Sequence, residues 1–241
     1  MNKKTALMAS IGAVFLVSVL AIAPTAHAAS LTGPQVQAVL GLLQAFNIPQ
    51  ATIDSVDAIL HGGSAATHVR GPASAKVTVV EYCDTESPFC KVFHATMRDI
   101  YDAYQGSGDV AWEYRSFPLS KLYSNTDKEA QALECAAKLG GNAAFWRYID
   151  DLYDTTPSEN GLDPAELAGL AKRVGLPLAT FNACTSSGAM AARVSAQYQE
   201  GLAAGVRGTP TSILLKAGSS KTLAGAQTYA TVKAAIDALI K

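Results

Sequence analysis

Hydrophobic and polar positions divide the chain into short alternating runs and longer helical ones. Between Lys76 and Tyr82 the sequence is rich in β-branched residues, with Val77, Val79 and Val80 marking a strand. A turn follows, and then a helix from Pro88 to about Tyr104 with Val92, Phe93 and Met97 placed for burial. Val110 to Phe117 predicts a second strand that ends in Phe117-Pro118-Leu119. The period then becomes helical. Thr126 to Leu139 opens with Thr126 and Glu129 in capping-box spacing and stops at Gly140-Gly141. Ala143 to Tyr153 is the next helix, and Pro164 to Val174 starts with Asp163 as cap and Pro164 in the first turn. Leu178 to Ser187 and Ala189 to Ala204 complete the helical run. Thr211 to Leu215 returns to strand, Gly218-Ser219-Ser220 turns the chain, Thr222 to Ala224 pairs back, and Thr228 to Ile240 is a closing helix. This order predicts an α/β domain over residues 71–241. Its mixed sheet carries helices on its faces, and a helical subdomain at about 124–205 is inserted between the second and third strands.

Two further segments precede that domain. Thr32 to Phe46 reads as an amphipathic helix with Val36, Val39, Leu40, Leu43 and Phe46 on one face, ended by Pro49. Ile53, Val56 and Leu60 mark a second short helix before the linker-like His61-Gly62-Gly63-Ser64. Residues 29–70 therefore predict a helical hairpin too small to fold alone, whose simplest role is a brace on the main domain. Before it, two lysines within Met1–Lys4, an apolar run from Thr5 to Ala23 and the small-x-small Ala26-His27-Ala28 predict a signal peptide over residues 1–28, cleaved after Ala28. The expected location is periplasmic or extracellular. Contact with a membrane would come only through an uncleaved signal segment.

Composition narrows the field. At 241 residues with 49% hydrophobic and 16% charged positions, the chain can bury a sizeable core, and its formal charge of −1 offers no polycationic surface for nucleic acid. The four cysteines, Cys83, Cys90, Cys135 and Cys184, are too few for a disulfide framework and wrongly spaced for zinc. His61 and His68 sit in the linker region without ligand spacing, and His94, four residues after Cys90, reads as a solvated surface residue. No metal, cofactor or glycine-rich phosphate loop is expected. Export would place the thiols where disulfides persist.

Chemistry concentrates in Glu81-Tyr82-Cys83-Asp84-Thr85-Glu86-Ser87-Pro88-Phe89-Cys90, where a strand hands over to a helix whose free amide groups favour a thiolate. Together with Val206-Arg207-Gly208-Thr209-Pro210-Thr211 this segment resembles the DsbA-like branch of the thioredoxin superfamily. Further similarity lies in Arg115-Ser116-Phe117-Pro118-Leu119, the helix of Cys135, Phe181-Asn182-Ala183-Cys184 and Gly225-Ala226-Gln227. The resemblance implies a thioredoxin-like fold with a helical insertion, and thiol–disulfide exchange with cysteines of exported client proteins, supported by a redox partner protein. It implies that Cys90 is the resolving cysteine, that Glu81 is the buried acid which exchanges its proton, and that Thr209-Pro210 is a cis bond. Pro88, Phe89, Thr209 and Pro210 would meet the client, with Thr209 pairing to an extended peptide. It also implies a structural disulfide between Cys135 and Cys184, the alternative being two unpaired buried thiols.

The sequence departs from that family at Ser87, where the exposed nucleophilic cysteine belongs. A hydroxyl cannot replace a thiolate in disulfide exchange. Ser87 before Pro88 is also a preferred helix cap, which explains it without catalysis. Cys83 falls on the same strand face as Glu81. It is either an inert buried thiol or the partner of Cys90 in a relocated redox pair. Three functions therefore compete: an oxidoreductase with an atypical Ser-Pro-Phe-Cys motif, a peptide-binding or chaperone protein that has lost turnover, and, more distantly, a serine site like that of kappa-class glutathione transferases. A serine introduced to silence the enzyme would look the same at Ser87, although Cys83 argues against so simple a change.

Overall fold

The computed structural model describes residues 41–43, 46 and 68–241. The signal segment and nearly all of the N-terminal hairpin lie outside those residues. Chain order is β1 (His68–Arg70), β2 (Val77–Cys83), α1 (Pro88–Gln105), β3 (Val110–Ser116), α2 (Thr126–Thr155), α3 (Glu166–Arg173), α4 (Leu178–Ser186), α5 (Ala191–Ala203), β4 (Thr211–Lys216), β5 (Ser219–Ala224) and α6 (Tyr229–Ile240). The five strands form one sheet in the order β1-β3-β2-β4-β5. β2 runs parallel to β3 and antiparallel to β4, while β1 and β5 are antiparallel edges.

Alternation along β2 decides what each face buries. Val77, Val79 and Cys83 join the main core with Phe93, Met97 and Ile100 of α1, Trp112 and Tyr114 of β3, and Val232 and Ile236 of α6. Val80 and Tyr82 point the other way, into a smaller cluster with Phe117 and Val206, against which Tyr198 and Leu202 of α5 pack. Gly201 is required there by close approach. A Cβ on it would meet Phe117 Cδ2 at 2.7 Å and Tyr82 Cδ1 at 3.0 Å. Gly201→Ala is expected to destabilise the protein by about 1–3 kcal/mol through overpacking. Denaturant unfolding measures it, and an unchanged midpoint would show that the α5 contact yields freely.

The structure departs from the sequence expectations at several points. Among the described residues the sheet already includes His68–Arg70, ahead of the expected start near Gly71, because that segment pairs with β3 through His68↔Tyr114 and Arg70↔Trp112. His68, read as a linker residue, is buried, stacks on Phe145 at 3.6 Å and bonds Glu134 Oε1 at 2.9 Å. The two helices expected at 126–139 and 143–153 are both made within α2, separated as expected at Gly141, whose φ of +69° is a left-handed conformation that glycine adopts freely. The capping box expected at the start of α2 is not made. Asn125 occupies the cap, Thr126 Oγ1 donates to Asp84 Oδ1 at 2.7 Å, and Glu129 is buried beside Glu86. Asp163, expected as the cap of the next helix, is not its N-cap: α3 begins at Glu166 with Ala165 at the cap and no side-chain cap bond, and Asp163 Oδ1 accepts Ala165 N–H at 2.9 Å in the turn before it.

Candidate functional site

The end of central strand β2 delivers Glu81 and Cys83 to one place, and the first turn of α1 delivers Cys90 to the same place. Cys83 and Cys90 are joined as a disulfide with their Cα atoms 5.8 Å apart. Both are closed to solvent, at 1% and 0% exposure. Ser87 is the N-cap of α1, and its hydroxyl accepts Cys90 N–H at 3.4 Å. It is itself 2% exposed. Pro88 occupies the first turn, and Phe89 projects outward at 65% exposure.

The two sulfurs have different neighbours. Cys83 Sγ lies 2.9 Å from Glu81 Oε1, whereas Cys90 Sγ accepts Asp84 N–H at 3.3 Å. Trp112 Nε1 donates to the other Glu81 oxygen at 2.7 Å. Full burial disfavours the carboxylate and raises the Glu81 pKa to about 8, with the Trp112 bond opposing the shift. Since Oε2 accepts from Trp112, Oε1 is the carboxyl oxygen that faces the Cys83 sulfur.

Behind Trp112 stands the residue that sequence reasoning placed at the surface. His94 is fully buried, with its Nε2 2.8 Å from Asp150 Oδ1 and its ring 5.0 Å from that of Trp112. Burial lowers its pKa, so the ring is neutral, with Asp150 opposing the shift. Asp150 also accepts from Arg70, whose guanidinium lies over the Trp146 and Trp112 rings at 4.3 and 5.4 Å. Thus β1 and α1 together fix the indole that holds Glu81.

The loop between β2 and α1 is anchored by acids that no motif announced. Asp84 accepts from Leu119 N–H at 2.6 Å and Glu86 N–H at 2.8 Å in addition to Thr126. Glu86 Oε2 accepts Asn160 N–H at 2.6 Å, and its carbonyl accepts Glu159 N–H at 2.9 Å. Ser158, Glu159 and Asn160 are successive left-handed residues, with φ of 67°, 56° and 65°. Burial, then the bond to Glu86, raises the Glu129 pKa to about 9.

Opposite this loop, Thr209–Pro210 is a cis peptide. Tyr82 pairs with Thr211, so one further register step sets Pro210 beside Cys83. Thr209 and Pro210, just before β4, and Pro88 and Phe89, in the first turn of α1, therefore lie at the same end of the sheet. Away from this site Cys135 and Cys184 form a second disulfide, S–S 2.01 Å, linking α2 to α4. Among the described residues no histidine, cysteine and carboxylate group of three is arranged to hold a metal ion.

A family model described as Thioredoxin matches residues 64–238. The chain belongs to the thioredoxin family. Among solved structures, DsbA2 of Pseudomonas aeruginosa is 28% identical with a TM-score of 0.60, covering 72% of this chain and 94% of that one. Oxidised BdbD of Bacillus subtilis, at 24% identity, shares the fold with a TM-score of 0.65 over 72% and 92% of the two chains. The thioredoxin-like fold with a helical insertion is thereby established. Curated relatives include the Na(+)/H(+) antiporter NhaA 3 of Salinispora tropica, 34% identical over 144 residues, which are 60% of this chain and 21% of that protein. The Na(+)/H(+) antiporter NhaA of Herminiimonas arsenicoxydans is 31% identical over 172 residues, 71% of this chain and 25% of that protein. This thioredoxin-family chain thus spans about a fifth to a quarter of the length of those relatives. No helix among its described residues is long and apolar enough to cross a membrane.

The buried acids set a direction for pH dependence in this thioredoxin-family protein. A carboxyl whose folded pKa is raised, as for Glu81 at about 8 and Glu129 at about 9, stays protonated when the unfolded chain has ionised. The stability it confers is complete below the unfolded carboxyl pKa and is lost as pH rises through the folded value. Unfolding free energy is therefore expected to fall between about pH 5 and 8, by up to about 1.4 kcal/mol per pH unit and group. Glu81→Gln, which preserves the acceptor for Trp112, is expected to make that slope shallower. Urea titrations at several pH values measure it, and an identical slope would place the Glu81 proton elsewhere.

Proposed function

We propose that this protein is an exported thiol–disulfide oxidoreductase acting on cysteines of extracytoplasmic client proteins, with Cys83 and Cys90 as its redox couple and Ser87 as a helix cap rather than a nucleophile. The observation that carries this reading is the fully buried Glu81 carboxyl, 2.9 Å from Sγ of Cys83 in the Cys83–Cys90 bridge. Closing so short a loop stabilises a fold by only about 2 kcal/mol, and a buried acid beside the bridge adds nothing to that effect. Such an acid does serve a bond that takes up protons on reduction and releases them on oxidation. The cis Thr209–Pro210 loop and the exposed Phe89 supply a groove edge on which an extended peptide would pair and rest. The lysine-led apolar segment and Ala26-His27-Ala28 support export. A second redox protein would restore the couple after each turnover.

Insulin reduction in dithiothreitol and oxidative refolding of reduced RNase test the activity. The protein is expected to accelerate at least one above background, and to lose that ability when its reduced thiols are alkylated. Background rates for the unmodified protein in both would reject the reading.

Burial of both sulfurs favours one alternative, a peptide-binding protein that keeps the groove without turnover. An open cavity of about 500 Å³ lined by Leu119, Leu122, Val194 and Tyr198 lies beside the Asp84 anchor at Leu119 and offers apolar contact. Binding of unfolded peptide by fully alkylated, inactive protein would select this alternative.

A further inference from the structure

The family resemblance makes Cys90 the resolving cysteine, yet the surroundings of the two sulfurs are distributed the other way. Cys90 is the third residue of α1, in the turn where unpaired amide groups and the helix dipole favour negative charge. Its Sγ accepts Asp84 N–H at 3.3 Å. A backbone donor and a helix N-terminus together stabilise a thiolate. Cys83 is the last residue of β2, and its Sγ faces Glu81 Oε1 at 2.9 Å. At that distance Glu81 can accept the Cys83 proton when it is ionised and return one to the Cys83 thiolate when it is protonated.

We propose that the two surviving cysteines have exchanged roles, Cys90 being the sulfur that bonds to the client and Cys83 the resolving cysteine served by Glu81. This rests on the redox-couple reading above. In the reductive direction the Cys90 thiolate attacks one sulfur of a client disulfide. The Cys90–client bond forms, the client disulfide breaks, and its other sulfur leaves as a thiolate. Glu81 in its ionised form, the minority below its raised pKa of about 8, then takes the Cys83 proton. Cys83 attacks Cys90 Sγ, the mixed disulfide breaks, and the second client sulfur departs as a thiolate that is protonated from Glu81 or water. The protein dithiol is oxidised and the client disulfide is reduced by the same two electrons. In the oxidative direction a client thiolate attacks Cys90 Sγ, and Cys83 leaves and takes the Glu81 proton; a second client thiolate then attacks the client sulfur of the mixed disulfide, the client disulfide forms and Cys90 leaves as a thiolate. Both sulfurs are buried, so either direction requires the site to open.

Trapping the mixed disulfide tests the assignment. Reduced Cys83→Ala and Cys90→Ala proteins are incubated with a short peptide carrying one internal disulfide, and adducts are resolved by mass spectrometry. Cys83→Ala is expected to accumulate an adduct on Cys90 at least tenfold faster than Cys90→Ala accumulates one on Cys83. Because either variant can lose its fold, the wild-type reaction is also quenched in acid and its adduct mapped, with Cys90 the expected site. As a further readout, Glu81→Gln is expected to shift the pH profile of alkylation at Cys83 in the Cys90→Ala background and to leave that of Cys90 unmoved in the Cys83→Ala background. An adduct on Cys83 overturns the exchange of roles while leaving the redox couple standing. A wild-type protein that turns over nothing and forms no adduct at either sulfur overturns both.

Discussion

Replacing Cys135 and Cys184 together with alanine is expected to lower the unfolding free energy by about 4 kcal/mol in the chain-entropy account of disulfides. The bridge closes a sequence separation of 49 between α2 and α4, long enough for a large restriction of the unfolded chain. It also fixes α4 where Phe181 is buried against Tyr148, with ring centroids 5.6 Å apart. Cys135 is wholly buried, so its loss adds a small cavity to the entropic effect. For a domain of this size the melting temperature should drop by roughly 8–16 °C. Calorimetry or denaturant unfolding of the double variant measures this, and a midpoint within a degree or two of wild type would mean that the insertion is held by packing alone.

Cys90→Ala is the second large effect, and it separates chemistry from stability. Removing one partner of the Cys83–Cys90 bridge forfeits about 2 kcal/mol of loop restriction. Turnover, however, should fall to background, because neither Ser87 nor any other hydroxyl can form the mixed disulfide. Ser87→Ala is the matched control. It removes an N-cap acceptor for Cys90 N–H and should lower stability by about 1 kcal/mol without abolishing exchange. Insulin reduction and unfolding measured on both variants read the two effects independently. Residual exchange by Cys90→Ala at more than a small fraction of the wild-type rate would place the chemistry on another sulfur.

The sheet, the closing helix and the extent of the insertion were legible because their apolar periods are long and their boundaries carry Gly, Pro or caps. His68–Arg70 was not, since three residues carry no period and the strand is defined only by what β3 offers it. His94 had a signal that was passed over. Cys90, Phe93, His94, Met97 and Ile100 follow the spacing of one buried helical face, so the histidine stands inside an apolar stripe. Thr126 and Glu129 show the opposite failure. Their spacing fits a local cap, but Asp84 and Glu86 lie close enough in the fold to claim them instead, and spacing alone does not distinguish the two uses. The buried acids Asp84 and Glu86 carried no sequence signature, because a polar loop between strand and helix ordinarily faces water. Within the site, alternation put Glu81 and Cys83 on one face, but only the folded handover from β2 to α1 fixed Cys83 at 5.8 Å from Cys90 between their Cα atoms.

The redox identity of the Cys83–Cys90 bridge is tested most directly by equilibrating the protein over a graded series of reduced and oxidised glutathione, then alkylating and mapping each cysteine pair by mass spectrometry. The account predicts that Cys83–Cys90 opens reversibly at a potential within the glutathione range while Cys135–Cys184 stays closed. Two bridges that open together, or a Cys83–Cys90 bridge that resists reduction until the protein unfolds, would contradict it.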